Sequence, residues 1–239
     1  MIEVIDAHLN LYPLNLDDID YYERGKFQYS KLVENLFGDG IKVIGIGIAC
    51  IEKKGIKNLK NAWYGYFLDL TYPNIPSLDE FDWIFIYDNS LLNKTIVTKI
   101  SNKIGRLQIQ AKYETFFHKK KIEDLVKRGV KIYFVHGMYL LDSKNKLIKE
   151  NDRKWLENLI RKNKDLIYLG TSPYETYFED KYFALAKEIS KKHPENLIFE
   201  SNFIPYPYLN LTYQLEKFKI VKELSENVRV KNALKFFED

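Results

Sequence analysis

The run Val43-Ile44-Gly45-Ile46-Gly47-Ile48 is apolar at every position and shows no alternation with polar side chains. Such a strand is buried on both faces, as in parallel sheets that are covered by helices. The glycines Gly38 and Gly40 stand just before it, a pattern that ends a helix and leads into the next strand. A helix followed by a doubly buried strand predicts an alternating β/α fold.

Further runs of similar length predict strands, and amphipathic segments of helical period separate several of them. The eight predicted strands are Glu3 to Ala7, Lys42 to Ile48, Trp63 to Leu68, Trp83 to Tyr87, Leu107 to Ala111, Lys131 to Val135, Leu166 to Leu169 and Asn196 to Phe199. The predicted helices are Tyr29 to Phe37, Phe116 to Arg128, Asp152 to Lys162, Lys181 to Lys192 and Leu215 to Leu224.

Eight strands in 239 residues match a compact TIM-like (β/α)8 barrel that forms a single domain over residues 1–239. Between Trp63 and Ala111 the connections are short, and Pro73 and Pro76 interrupt one of them. We therefore expect irregular middle strands, with loops in place of one or two outer helices. A doubly wound open sheet is the alternative, but no Gly-rich phosphate loop follows the first strand.

Composition limits the classes of partner and location. The net charge of +4 arises from 37 basic and 33 acidic residues, so nucleic-acid binding is only weakly supported. The single cysteine, Cys50, excludes an internal disulfide and a multi-cysteine zinc site. No stretch approaches the ~18 apolar residues that span a bilayer, and the chain opens on a strand rather than a signal peptide. We expect a cytoplasmic protein without a membrane segment.

The first strand carries the most informative polar pair. In a barrel, the chemistry lies at the carboxyl ends of the strands, and this strand ends in Asp6-Ala7-His8. A spacing of two on a regular strand places both side chains on the same face, so Asp6 and His8 are expected to hold one metal ion together. The alternative is a histidine that caps the strand or satisfies a backbone carbonyl.

Polar residues also end the other predicted strands. They are Cys50, Asp69 with Thr71, Asp88 with Asn89, Gln110 with Lys112, His136, Thr171 with Ser172, and Glu200 with Ser201 and Asn202. His136 precedes Gly137 where a strand turns into a loop, which suits a site residue or a buried capping histidine. Asp88-Asn89 can equally form an Asx turn.

Three of these segments resemble a known family. Ile5-Asp6-Ala7-His8-Leu9, Phe134-Val135-His136-Gly137 and Phe199-Glu200-Ser201-Asn202 with Pro205-Tyr206 resemble motifs of the amidohydrolase superfamily of TIM-barrel hydrolases, and within it the TatD-type members. The tail from Val230 to Phe237 resembles the family's closing segment. The resemblance implies a divalent metal, namely zinc, manganese or magnesium, and a metal-activated water that hydrolyses an ester, amide or phosphoester.

The departures from the family pattern affect the metal ligands. Only His8 and His136 keep the family's residue types; Asp6 and Gln110 stand for histidines, and Asn202 stands for the aspartate that acts as base. An amide cannot take a proton from water at neutral pH. The resemblance then implies a single metal held by Asp6, His8 and His136 with Asp88, either partly occupied or absent, and a base supplied by Asp88 or Glu200.

Three functions remain open at this point. The first is a metal-dependent hydrolase that acts on a small molecule or a phosphoester. The second is a catalytically silent barrel that serves as a ligand-binding or interaction scaffold, which the substituted ligands favour. The third is a TatD-like nuclease, which the mild basicity and the 18 tyrosines permit.

Overall fold

The eight strands form one parallel sheet in chain order. A computed structural model describes residues 1–10, 21–50, 61–68, 77–137, 148–171, 187–203 and 211–238. Each strand pairs with the next along the chain, and every pair is parallel. The strands are β1 (Ile2–Asn10), β2 (Ile41–Cys50), β3 (Ala62–Phe67), β4 (Trp83–Ile86), β5 (Arg106–Gln110), β6 (Lys131–Val135), β7 (Ile167–Gly170) and β8 (Leu197–Ile198).

The first and last strands meet, so the sheet curls into a nearly closed barrel. Leu9 and Phe203 form a parallel bridge, and the backbone N–H of Ala7 donates to the carbonyl of Phe199 over 3.1 Å. The predicted TIM-like barrel is confirmed. All eight predicted strands overlap observed strands, because the apolar runs that marked them are the barrel wall.

Helices follow most of the strands, and after β8 two further helices end the fold, the last of which contacts the barrel interior. They are α1 (Tyr21–Gly38), α2 (Thr95–Ile104), α3 (Lys119–Lys127), α4 (Glu150–Lys162), α5 (residues 187–192), α6 (Leu211–Lys219) and α7 (Asn232–Phe237). The expected irregularity of the middle is partly seen: between β3 and β4 the described residues form only the 3₁₀ helix Leu78–Glu80. Between β4 and β5, however, α2 is a regular helix. Within the described ranges, no helix is long and apolar enough to cross a membrane.

Two apolar layers flank the barrel wall. The outer layer packs alternate strand residues such as Ile84, Ile109 and Leu169 against the helices. The inner layer fills the barrel and includes Phe236 and Phe237 of α7. The inner layer consists of Ile5, Ala7, Ala49, Trp83, Phe85, Tyr133, Val135, Tyr168, Ile198, Ala233, Phe236 and Phe237.

Candidate functional site

A bulge in β1 separates the two side chains of the Asp6-Ala7-His8 motif. Asp6 pairs with Ile46 and Leu9 with Ile48, so β1 advances three residues while β2 advances two. The extra residue interrupts the alternation of side chains along the strand. Asp6 contacts helix α1 outside the barrel, whereas the ring of His8 lies 5.0 Å from that of Phe85 in the interior. The expectation that Asp6 and His8 share one face is therefore wrong.

The Asp6 carboxylate joins three elements. It accepts hydrogen bonds from the backbone N–H of Ser201 (2.7 Å), the Ser201 hydroxyl (2.6 Å) and the Tyr29 hydroxyl of α1 (2.8 Å). Burial raises the pKa of Asp6 to about 6, and the hydrogen bonds from Ser201 and Tyr29 limit the rise. The carboxylate thus ties β1 to the segment after β8 and to α1, at the seam where the barrel closes.

Lys217 of α6 lies at the same seam. Its Nζ is buried and donates to the carbonyl of Ser201 over 2.6 Å. Burial lowers the pKa of Lys217 to about 7, although the nearby carboxylates of Glu200 and Asp6 act to raise it. The sequence gives no signal for this role, because a lysine within an amphipathic helix is normally solvated.

His8 is fully buried in the barrel interior. Its Nδ1 lies 3.1 Å from Oε1 of Gln108, and burial lowers its pKa to about 4, so the imidazole is neutral at pH 7. Its Nε2 is buried and has no hydrogen-bond partner among the residues that the structure describes. A neutral imidazole with one nitrogen bonded and the other unpaired is a ready acceptor for an incoming group.

His136 is held by Glu200. The residue adopts a left-handed backbone with φ of 69°, and its backbone N–H donates to Oε1 of Glu200 over 2.7 Å. The Tyr133 hydroxyl donates to the other carboxylate oxygen. A Cβ at position 170 would lie 2.1 Å from Oε1 of Glu200, so only glycine at 170 lets this carboxylate approach the backbone. Glu200 therefore positions the turn that carries His136.

Carboxamides complete the polar cluster. Nε2 of Gln110 lies 2.8 Å from Nε2 of His136, and the ring of His136 is 6.5 Å from that of His8, centroid to centroid. Asn10 donates to Oδ1 of Asn202 over 2.6 Å. The predicted residues His8, His136, Glu200 and Asn202 lie in or against this cluster, which we call the polar floor: His8, Asn10, Gln108, Gln110, His136 and Asn202.

Sequence reasoning missed two members of the polar floor, Asn10 and Gln108. Both were available as a spacing signal, because each lies two residues from a candidate, His8 or Gln110, on a strand. Amide side chains are weak metal ligands, so a search for metal ligands does not select them. Gln108 orients the imidazole of His8, and Asn10 donates to Asn202.

Asp88 stands apart from the polar floor. It is exposed and caps the 3₁₀ helix Asn89–Asn93, where its carboxylate accepts from the N–H and the hydroxyl of Ser90. These bonds lower the pKa of Asp88. The Asx-turn alternative describes this geometry, and none of the hydrogen bonds that Asp88 makes within the described ranges reaches His8 or His136.

The remaining strand-end residues have varied surroundings. Cys50 is buried at the end of β2, and the Thr171 hydroxyl accepts the backbone N–H of Glu200 over 3.1 Å. The residues Asp69, Thr71, Pro73, Pro76, Ser172, Pro205 and Tyr206 and the first part of the helix predicted from Lys181 lie outside the described ranges.

A metal ion at this site needs several His, Cys, Asp or Glu side chains that point to one position. Among the described residues, no three His, Cys, Asp or Glu side chains come together as a group that could hold a metal ion. Asp6 is bonded to Ser201 and Tyr29, and Glu200 is bonded to Tyr133 and His136. The two histidines converge, but the described carboxylates nearest them are already occupied by protein donors.

Comparison with known proteins gives no family assignment. No protein-family model matches the chain, and no curated protein matches it in sequence.

Proposed function

We propose that this chain binds a small polar molecule at the carboxyl end of its barrel, on the polar floor, through hydrogen bonds rather than through a resident metal ion. The observation that carries the proposal is the buried Nε2 of His8, which has no hydrogen-bond partner in the part of the chain that the structure describes. A buried polar atom without a partner costs about 1–3 kcal/mol, and a ligand that donates a hydrogen bond recovers this loss.

The location supports the same proposal. Parallel barrels bind ligands at the carboxyl ends of their strands, and His8, Gln110 and His136 all lie at such ends. Each imidazole is oriented by an amide, His8 by Gln108 and His136 by Gln110. Side chains held in this way form a preorganised site, which lowers the entropic cost of binding.

The single metal ion that the family resemblance implies does not fit these residues. Asp6 faces α1, Asp88 is exposed, and Asn202, at the position of the family's base, accepts a hydrogen bond from Asn10. An amide in that position cannot take a proton from water. These residues therefore provide neither the expected ligand set nor the family's base.

A second candidate, metal-dependent hydrolysis of an ester, amide or phosphoester, is favoured by one feature of His8. Metal-binding histidines typically donate their other ring N–H to a carbonyl or carboxylate, and Nδ1 of His8 faces the carbonyl oxygen of Gln108 in this way. His136 is near enough to join it. TatD-like nuclease activity would be one form of this candidate.

Titrations of the chelator-treated protein test the two candidates against each other. The probes are zinc chloride and manganese chloride by calorimetry, and acetamide, phenol, benzoate and phenyl phosphate by ligand-observed NMR. The variant is His8→Leu. The matched control is His193→Leu, since Nε2 of His193 is also buried and unpaired but that residue precedes β8 at the opposite end of the barrel.

We expect at least one organic probe to bind in the presence of chelator, to lose binding in His8→Leu and to keep it in His193→Leu. Stoichiometric zinc binding that both His8→Leu and a His136→Leu variant abolish would replace this proposal with the second candidate. If neither the organic probes nor zinc bind in a way that depends on His8, both candidates are wrong.

A further inference from the structure

We infer that the ligand of the polar floor is a neutral aromatic molecule that donates an O–H or N–H to Nε2 of His8 and lies along a wall formed by Phe85, Phe67 and Tyr87. The inference rests on the proposed function and specifies the chemistry of its ligand. It depends on the tautomer of His8, on the charges near the floor and on the geometry of the wall.

The orientation of Gln108 fixes the tautomer of His8. The amide nitrogen of Gln108 points to the carbonyl of Ala7, at 3.5 Å, so its oxygen faces Nδ1 of the imidazole, at 3.1 Å. An oxygen at that position requires a hydrogen on Nδ1, which leaves the lone pair on Nε2. Nε2 is therefore an acceptor, and the group that satisfies it must bring a hydrogen.

The second imidazole of the polar floor, that of His136, has such a donor within the protein. The amide nitrogen of Gln110 lies 2.8 Å from Nε2 of His136, so the protein itself supplies an N–H to that lone pair. Nε2 of His8 forms no hydrogen bond of normal geometry with the described residues, although the Asn10 side chain lies close enough to oppose the fall in the pKa of His8. The ligand supplies to His8 what Gln110 supplies to His136.

The charges near the floor are held by protein groups, which favours a neutral ligand. The Glu200 carboxylate accepts from Tyr133 and from the backbone of His136, and Nζ of Lys217 donates to Ser201. An ionised phosphate or carboxylate placed beside Nε2 has no hydrogen to donate, and its negative charge is repelled by the lone pair of Nε2.

An aromatic wall leads outward from His8. The ring of Phe85 lies 5.0 Å from that of His8, Phe67 lies 5.7 Å from Phe85, and Tyr87 lies 6.3 Å from Phe67. Exposure rises along this path: Phe85 is buried, Phe67 is half-buried and Tyr87 is 40% exposed. Aromatic faces at these spacings pack flat apolar rings well.

The outer end of the wall carries a positive charge. Nζ of Lys112 lies 3.7 Å from the centre of the Tyr87 ring, a cation–π contact. Lys112 thereby covers Tyr87 at the rim rather than reaching the polar floor. The wall is thus apolar next to His8 and cationic only where it meets solvent.

Matched pairs of small probes test each part of this inference on the full chain. Anisole replaces the donor hydrogen of phenol with a methyl group, cyclohexanol carries the hydroxyl on a saturated ring, and benzoate adds a negative charge. Binding is measured by ligand-observed NMR with wild type, His8→Leu, Tyr87→Leu and the control His193→Leu. The nitrogen resonances of the four histidines provide a direct readout without any variant.

We expect phenol to bind about tenfold more tightly than anisole or cyclohexanol, the ratio that one good contact gives. Phenol should move the Nε2 resonance of His8 to lower frequency, and anisole should not. His8→Leu should remove the preference for phenol over anisole, and Tyr87→Leu should reduce the preference over cyclohexanol.

Equal binding of phenol and anisole, tighter binding of benzoate, or an Nε2 resonance of His8 that phenol leaves unchanged would overturn the inference. If acetamide or phenyl phosphate still bound in a way that required His8, the proposed binding function would stand with a different ligand. If no probe required His8, the proposed function would fall as well.

Discussion

The two ends of the barrel interior differ in how completely their side chains are satisfied. At the amino end, Phe237 of α7 stacks on Trp63 at 4.8 Å between ring centres, and Phe236 contacts Tyr133 and Tyr168. At the carboxyl end, the interior carries the polar floor, where Nε2 of His8 is unpaired within the described ranges. The amino end is filled by apolar contacts, whereas the carboxyl end has a buried acceptor that can form one more hydrogen bond.

This difference indicates that the amino end contributes to folding stability and that the carboxyl end is suited to binding. Dense aromatic packing contributes to folding whether or not a ligand is present. A buried group without a partner reduces stability unless something binds to it, and such groups in folded proteins call for an explanation. The amino end is therefore interpreted as the foundation of the barrel and the carboxyl end as its binding face.

The largest expected effect comes from breaking the amino end. Phe236→Ala removes a fully buried ring that packs on two tyrosines, and we expect the free energy of unfolding to fall by about 3–5 kcal/mol. Urea denaturation measures the change. The control Phe37→Ala, at a ring that is 56% exposed, should change stability by no more than about 0.5 kcal/mol. A loss below about 1 kcal/mol for Phe236→Ala would show that α7 does not close this end.

An intermediate effect is expected from protons at the carboxyl end. The pKa of His8 is about 4 in the folded protein against 6.5 ordinarily, so between these values the unfolded chain binds a proton that the folded protein does not. The free energy of unfolding should fall as pH falls through this window, by about 3 kcal/mol in total. Above pH 6.5 this contribution is fully present.

Comparison of wild type with His8→Gln isolates this contribution. Asp6 titrates in the opposite sense over an overlapping range, because its pKa is raised to about 6, but it is common to both proteins. As pH is lowered from 6.5 to 4, wild type should therefore lose about 3 kcal/mol of stability relative to His8→Gln. Parallel pH profiles for wild type and His8→Gln would contradict the burial of a neutral imidazole. His118→Gln is the control: burial also lowers the pKa of this partly exposed histidine, so the same trend should appear but be smaller.

The smallest effect is expected when both partners of a polar-floor contact are removed. His8→Leu alone leaves Oε1 of Gln108 without its partner, which costs about 1–3 kcal/mol. The double variant with Gln108→Leu removes both groups and should lie within about 1 kcal/mol of wild type. A double-mutant cycle in urea measures the coupling. A loss in the double variant as large as that of Phe236→Ala would erase the distinction between the two ends.

Much of the fold could be predicted because barrel strands have a recognisable sequence pattern. The run around Ile44 and Ile46 is apolar without alternation. This pattern is typical of a parallel strand that is buried on both faces. Helix α2 was not predicted, because Thr95, Ile96, Val97 and Thr98 are β-branched and resemble a strand by propensity. Tertiary contacts override that propensity: Val97 and Ile100 are buried on one face of the helix.

The candidate site was less predictable than the fold. His8 and His136 were identified by type and position, but the surroundings that define their chemistry lie far away in sequence, such as Gln108, which is 100 residues from His8. Asp6 was assigned by spacing, and spacing along a strand fails wherever an extra residue is inserted. Nothing in Asp6-Ala7-His8 itself marks the bulge, since that depends on pairing with β2.

The bulge in β1 also changes how this strand should be redesigned. Asp6 contacts α1, while His8 and Asn10 both have their side-chain partners on the interior side, in Gln108 and Asn202. A pair of imidazoles on this strand that point to one ion therefore corresponds to positions 8 and 10 and requires Asn10→His. Asp6→His would add an imidazole to the outer face and remove the carboxylate that closes the seam. The count of residues between two side chains is, in this strand, a poor guide to which of them can work together.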